Sequence, residues 1–164
     1  MVTKIYFPRA VLPLSAVLAC LFDMGISIIV LTILLMVFKI GFSFYLLLLP
    51  VFIFLLILFT AGLGLLLSSA NLFYRDIKYV VEIILMFGIF FTPVFYSASS
   101  FGRWDVIMLF NPIGSLLEAI DQIVVFGKMP DPFWFGYAAL TSLVMFYIGM
   151  VIFHKIEPLF AENI

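Results

Sequence analysis

The sequence predicts an all-α integral membrane protein of about four transmembrane helices, with a re-entrant or interfacial helical hairpin before the last span. Three observations predict it. Residues 40–74 form a run of 35 without one charged side chain, and further uncharged apolar runs cover 24–38, 83–102 and 132–153; about 20 apolar residues suffice to cross the hydrocarbon core as a helix. Hydrophobic residues make up 66% of the chain and charged ones only 10%, against about 25% in ordinary globular domains, so a soluble domain of this size could not hide its apolar surface. Strand-like alternation is absent, and a span in lipid must satisfy its own backbone hydrogen bonds, which favours helices over a barrel.

Taken in order, residues 1–15 carry Lys4, Arg9, Pro8 and Pro13 and read as an interfacial segment leading into a first span at about 16–38. Lys39, Gly41 and Ser43 make a tight turn. A second span covers about 44–67, with a bend at Pro50, which removes a backbone donor. The polar stretch 68–78 reads as a membrane-surface loop. A third span runs from about 79 to 96, with Pro93 near its far end, and a fourth from about 133 to 153, followed by a tail holding His154, Lys155, Glu157 and Glu162.

Residues 97–132 are apolar yet hold Arg103, Asp105, Glu118, Asp121, Lys128 and Asp131. Asn111-Pro112 reads as an N-cap with proline at the first helical position, and Gly127 suits the helix terminus. The helix between them is too short to span. Ser115, Glu118, Asp121 and Gln122 share one face, and Leu116, Leu117, Ile120, Ile123 and Val124 the other. It lies at the surface or dips part-way in, with the segment from Trp104 to Phe110 as its partner in a hairpin.

With a cytoplasmic N-terminus, Lys4, Arg9, Arg75, Lys78 and Lys155 fall inside and Lys39, Arg103 and Lys128 outside, a modest positive-inside bias that fits an even number of spans. The net charge of −1 and the lack of a basic patch argue against a nucleic-acid partner. A single cysteine, Cys20, excludes an internal disulfide or cysteine cluster. Val17-Leu18-Ala19-Cys20 after a basic start looks like a lipoprotein cleavage site, but continuation into further spans favours an ordinary helix interior. There is no phosphate-binding glycine loop. His154, the sole histidine, sits beside Lys155 at a helix end, where cations are favoured. Ser97, Ser99 and Ser100 have no histidine on their side of the membrane, which leaves hydrolase chemistry unsupported.

Asp23 is the one carboxylate within an expected span; early in that span, it reads as interfacial ahead of a transport role. Glu82, four residues after Lys78, reads as half of a surface ion pair. Thr60, Gly64 and Ser68 form a small-residue stripe suited to close helix packing, within the bundle or against another subunit. Tyr45, Tyr79, Tyr96, Trp104, Trp134 and Tyr137 fall near span ends, as interfacial belts do, with stacking on sugar rings as the other reading. The loop from Asn71 to Lys78 combines aromatic, cationic and acidic groups and suits docking of a cytoplasmic partner.

Asn71-Leu72-Phe73-Tyr74-Arg75-Asp76-Ile77, followed by a span ending Phe90-Phe91-Thr92-Pro93-Val94-Phe95-Tyr96, resembles the permease subunits of bacterial ABC exporters for cell-surface polysaccharide, of the O-antigen, capsule and teichoic-acid type. Tyr6-Phe7-Pro8-Arg9 with Leu12-Pro13-Leu14 is similar to the family's cytoplasmic loop between its second and third spans. Asn111-Pro112 and its helix resemble the re-entrant extracellular segment, and Glu157-Pro158-Leu159-Phe160-Ala161-Glu162 the C-terminal end. Family members have six spans, so the resemblance implies a single partial permease domain over 1–164 that starts just before the third. It implies ATPase coupling through Tyr6, Phe7, Pro8, Arg9, Tyr74, Arg75 and Asp76, and an outer gate built on Trp104, Asn111, Pro112, Glu118 and Asp121. It further implies no catalysis and no cofactor on this chain, with ATP and magnesium on a separate ATPase subunit. The implied partners are that ATPase, a second permease copy, membrane lipid and a lipid-linked glycan. The implied place is the bacterial plasma (inner) membrane, with both termini cytoplasmic and a part in lipopolysaccharide biosynthesis. A permease for drugs or other lipophilic substrates, and a small channel or structural membrane protein working without ATP, are the alternatives.

Overall fold

A computed structural model of the chain describes residues 11–38, 44–92 and 105–157. Helix α1 (Val11–Val37) starts five residues before the expected position 16. Pro13 falls in its first turn, where the missing N–H has no intrahelical partner in any case, so residues 11–15 are helix and not an interfacial approach. Leu14, Val17, Leu21, Met24 and Leu35 form a half-buried stripe at helical spacing, the face turned to α2. The earlier start also moves Asp23. It is the thirteenth of the 27 residues and sits at the middle of the helix, not near its entrance.

The turn expected at Lys39, Gly41 and Ser43 lies outside the described residues. A 3-10 turn (Phe44–Leu48) then leads into α2 (Leu49–Phe73). Pro50 occupies the first turn of α2 and begins the α-helix where a bend in the span was expected. The loop expected at 68–78 shrinks to Tyr74, Arg75 and Asp76, because α2 runs on through Phe73. One serine there is satisfied inside the helix: Ser69 Oγ donates to the Leu65 carbonyl at 2.9 Å, the back-bonding open to a buried hydroxyl.

After Asp76 the chain forms α3 (Ile77–Gly88) and a 3-10 turn (Ile89–Phe91), then α4 (Asp105–Leu109), α5 (Pro112–Val124) and α6 (Pro132–Ile156). Three helical stretches among the described residues are long and apolar enough to cross a membrane: Val11–Val37, Phe44–Phe73 and Pro132–Ile156. The third expected span begins as α3 and its 3-10 turn, which together rise only about 24 Å against a core of about 30 Å; Pro93 and the span's far end lie outside the described residues.

Helices α2 and α6 form the centre of the fold. Phe52 and Phe135 meet near their starts with ring centroids 5.1 Å apart. Further along, a Cβ built on Gly62 would come within 2.7 Å of the backbone of Met145 and Phe146, and one on Gly149 would run into the Gly62 carbonyl oxygen. The two backbones are therefore in direct contact, and the helices run parallel. A parallel pair obliges the intervening chain to return across the bundle, a return that begins with α3.

This seam is not the expected one. Gly64 has open space around its Cβ position and Thr60 is exposed, so the stripe Thr60–Gly64–Ser68 takes no part in the α2–α6 contact, and of its two expected uses only packing against another subunit is left. The buried face of α2 is Phe52, Leu55, Phe59, Gly62 and Ser69, opposite Ala138, Ser142, Gly149 and Phe153 of α6. Both stripes have the small residues that close approach needs, and the matching glycine on α6 decides between them.

Gly149→Ala is expected to destabilise the bundle by about 1–3 kcal/mol, because the new methyl meets backbone that cannot rotate away, while Gly64→Ala should be neutral or slightly stabilising. Thermal unfolding in detergent distinguishes the two. Ser142 is wholly buried and its hydroxyl has no hydrogen-bond partner among the described residues. Ser142→Ala is expected to raise stability by about 1 kcal/mol in the same assay, since an unmet buried hydroxyl is a cost.

Candidate functional site

At the end where α2 and α6 begin, α5 is wedged against both. Leu116, Ala119 and Ile123 of α5 join Phe52, Leu55 and Ala138 in one buried cluster. Its start is set by local chemistry: Asn111 has extended backbone and its Oδ1 accepts from the Ile113 N–H at 3.1 Å, with Pro112 next in line. Its end is closed by Gly127 at φ 59°, across which the Lys128 N–H donates to the Gln122 carbonyl at 3.0 Å. Helix α6 opens in the same way, with Asp131 Oδ1 accepting from the Phe133 N–H at 2.9 Å.

The polar face expected to meet water is partly covered. Ser115 and Glu118 are buried, Glu118 at 8% exposure, while Asp121 is half-buried. The Ser115 hydroxyl donates to the Pro112 carbonyl at 3.0 Å. Burial, and after it the charge of Glu118, push the Asp121 carboxyl above its ordinary value of 3.8.

A link that sequence reasoning missed joins this region to α6. The Tyr137 hydroxyl donates to the Phe110 carbonyl at 2.7 Å, and Phe110 forms the corner between α4 and α5. The rings of Phe110, Trp134 and Tyr137 meet edge to face around it, with centroids 5.8–6.2 Å apart. Aromatic residues at a span end were the available signal, but nothing local pairs positions 27 apart.

At the opposite end, Tyr74, Arg75 and Asp76 form an exposed turn between α2 and α3. The Ile77 N–H donates to the Tyr74 carbonyl at 3.2 Å, and the Tyr79 N–H to the Asp76 carbonyl at 3.1 Å. Lys78 makes no ion pair with Glu82; its ammonium lies 4.7 Å from the centre of the Tyr79 ring. Of the other expected site residues, Tyr6, Phe7, Pro8, Arg9 and Trp104 lie outside the described residues. No group of three or more His, Cys, Asp or Glu side chains able to hold a metal occurs among the described residues.

Long apolar helices, a short capped helix wedged at one end and a charged turn at the other define a helical membrane protein. Residues 1–125 match the ABC-2 type transporter family, and the chain belongs to it. It is 28% identical over 167 residues to the O-antigen export system permease protein RfbA of Myxococcus xanthus, covering 100% of this chain and 64% of that protein. It is 26% identical over 163 residues to a Klebsiella pneumoniae protein of the same name, covering 98% of this chain and 62% of the relative. The chain thus spans less than two thirds of the length of these relatives. No solved structure matches it.

Because the folded chain holds Asp121 protonated more readily than an unfolded one would, that contribution to stability is complete below pH 3.8 and is lost as pH rises through the elevated folded value. Melting temperatures recorded in detergent from below pH 3.8 to neutrality should show this decline, and Asp121→Asn should flatten it.

Proposed function

We propose that this chain is the membrane-spanning part of an ATP-driven exporter that moves lipid-linked polysaccharide across a bacterial plasma membrane. The supporting observation is similarity along nearly the whole chain to proteins named as O-antigen export permeases. The sequence carries no phosphate-binding loop, so the driving free energy comes from a separate ATPase that binds ATP and magnesium. Two permease copies enclose the path, and both termini face the cytoplasm.

In this reading the Tyr74–Arg75–Asp76 turn meets the ATPase. It offers an aromatic ring, a bidentate cation and a carboxylate on a short, exposed connection, the chemistry of a compact docking patch. Tyr6, Phe7, Pro8 and Arg9 belong to the same face. The α4–α5 hairpin, with Asn111, Pro112, Glu118 and Asp121, shapes the outer mouth together with Trp104. Residues 1–10 act as the coupling segment ahead of α1 and 97–132 as the extracellular re-entrant segment.

Co-purification tests the class. The complete permease should retain an ATPase subunit in mild detergent, whereas a channel or structural protein would come out alone. Arg75→Ala and Asp76→Ala in the complete exporter should each lower export by about tenfold, as loss of a docking hot spot does, with membrane insertion intact. Unchanged export would remove the docking role.

A further inference from the structure

Asp23 stands at the midpoint of α1, about 18 Å from one end of the helix and 21 Å from the other. Its side chain is exposed, and its carboxylate has no hydrogen-bond or ion-pair partner among the described residues. A carboxylate at this depth does not face lipid; it faces a water-filled cavity or another protein group. On the helix wheel it lies opposite the Leu14–Leu21–Leu35 stripe, so α2 does not cover it.

The exposed surface of α1 divides into two strips. Leu18, Phe22, Ile29 and Ile33 are bulky and apolar, as a lipid-facing strip must be. Ala16, Cys20, Asp23 and Ser27 recur at three- and four-residue spacing and are all exposed and small or polar. The Ser27 hydroxyl donates to the Asp23 backbone carbonyl at 3.0 Å, which leaves the carboxylate oxygens open as acceptors. Beyond Ser27 the same strip turns apolar, at Val30 and Leu34. The small and polar portion therefore runs from Ala16 to Ser27, with Leu12, exposed and apolar, one turn before it on the same face.

We propose that this strip lines the transport path and is wetted from the N-terminal end of α1, with Asp23 as the acceptor for hydroxyl-bearing cargo. A carboxylate accepts from two vicinal hydroxyls at once, and polyhydroxylated chains supply such pairs throughout their length. The inference rests on the reading of this chain as a polysaccharide permease and adds a site to it.

Scanning with an impermeant, charged thiosulfonate tests it in the complete exporter reconstituted in vesicles. Native Cys20 is the first reporter. In a Cys20→Ser background, cysteine is placed in turn at Asp23, Ser27 and Ile29. The expected result is rapid modification at Cys20, Asp23→Cys and Ser27→Cys from the side of the N-terminus, with Ile29→Cys slower by at least about tenfold, as a lipid-facing thiol is not ionised. Asp23→Asn should then lower export by about tenfold, with Cys20 still reactive as proof of an intact helix. Asp23→Cys as inert as Ile29→Cys would overturn the proposal, since the carboxylate would then be covered by protein. Full export by Asp23→Leu would overturn it as well. The labelling pattern does not depend on whether an ATPase co-purifies, so failure of this site and failure of the exporter reading are told apart.

Discussion

Contact between the backbones of α2 and α6 at Gly62 and Gly149 is the constraint on which the rest of the fold depends. In lipid no hydrophobic effect drives helices together, so association rests on close packing and small residues. Direct glycine contact fixes α2 and α6 side by side and pointing the same way. From that follows the return of the intervening chain. It also follows that the starts of both helices lie at one end, where they form the platform that receives α5 through Leu116, Ala119 and Ile123. One seam therefore governs both the transverse path of the chain and the placing of the α4–α5 hairpin.

Features governed by local chemistry could be read from the sequence. The Asn111-Pro112 cap, the Gly127 terminus and the apolar length of three long helical stretches all appear as expected. Features governed by partners distant in sequence could not. Thr60–Gly64–Ser68 and the Gly62 face look alike until Gly149 is brought opposite one of them. Ser68 to Phe73 look like loop because their polarity is visible, whereas the back-bond of Ser69 to Leu65 is not. Asp23 looked interfacial because the start of α1 was placed too late, and Pro13 in the first turn concealed the true one. At the candidate site, Asp121 stood out as an acidic group on a short helix, but the burial of its neighbour Glu118 depends on packing against other elements.

Polar groups in the long helices fall into two kinds. Thr32, Thr60, Ser69 and Thr141 each donate to a carbonyl one turn earlier in their own helix, at 2.8–2.9 Å, and so add little polarity to their surroundings. Asp23 and Ser142 have no such answer. One is exposed at mid-helix and the other sealed in the α2–α6 seam. A bundle that satisfies most hydroxyls internally makes the exceptions informative, and the exposed charged one is where work on a polar cargo would be expected.

The cap on α6 has a further consequence. Asp131 fixes the first residue of the helix through its bond to the Phe133 N–H, and Gly149 follows 18 positions later, about 27 Å along the axis. The stretch between acts as a ruler with one permitted length. A single-residue insertion or deletion would swing everything beyond it by about 100°, present a side chain to Gly62 in place of Gly149, and force the two backbones apart. Length variation in this helix is thus confined to the part past Phe153, whereas a substitution that preserves the count need satisfy only its own position.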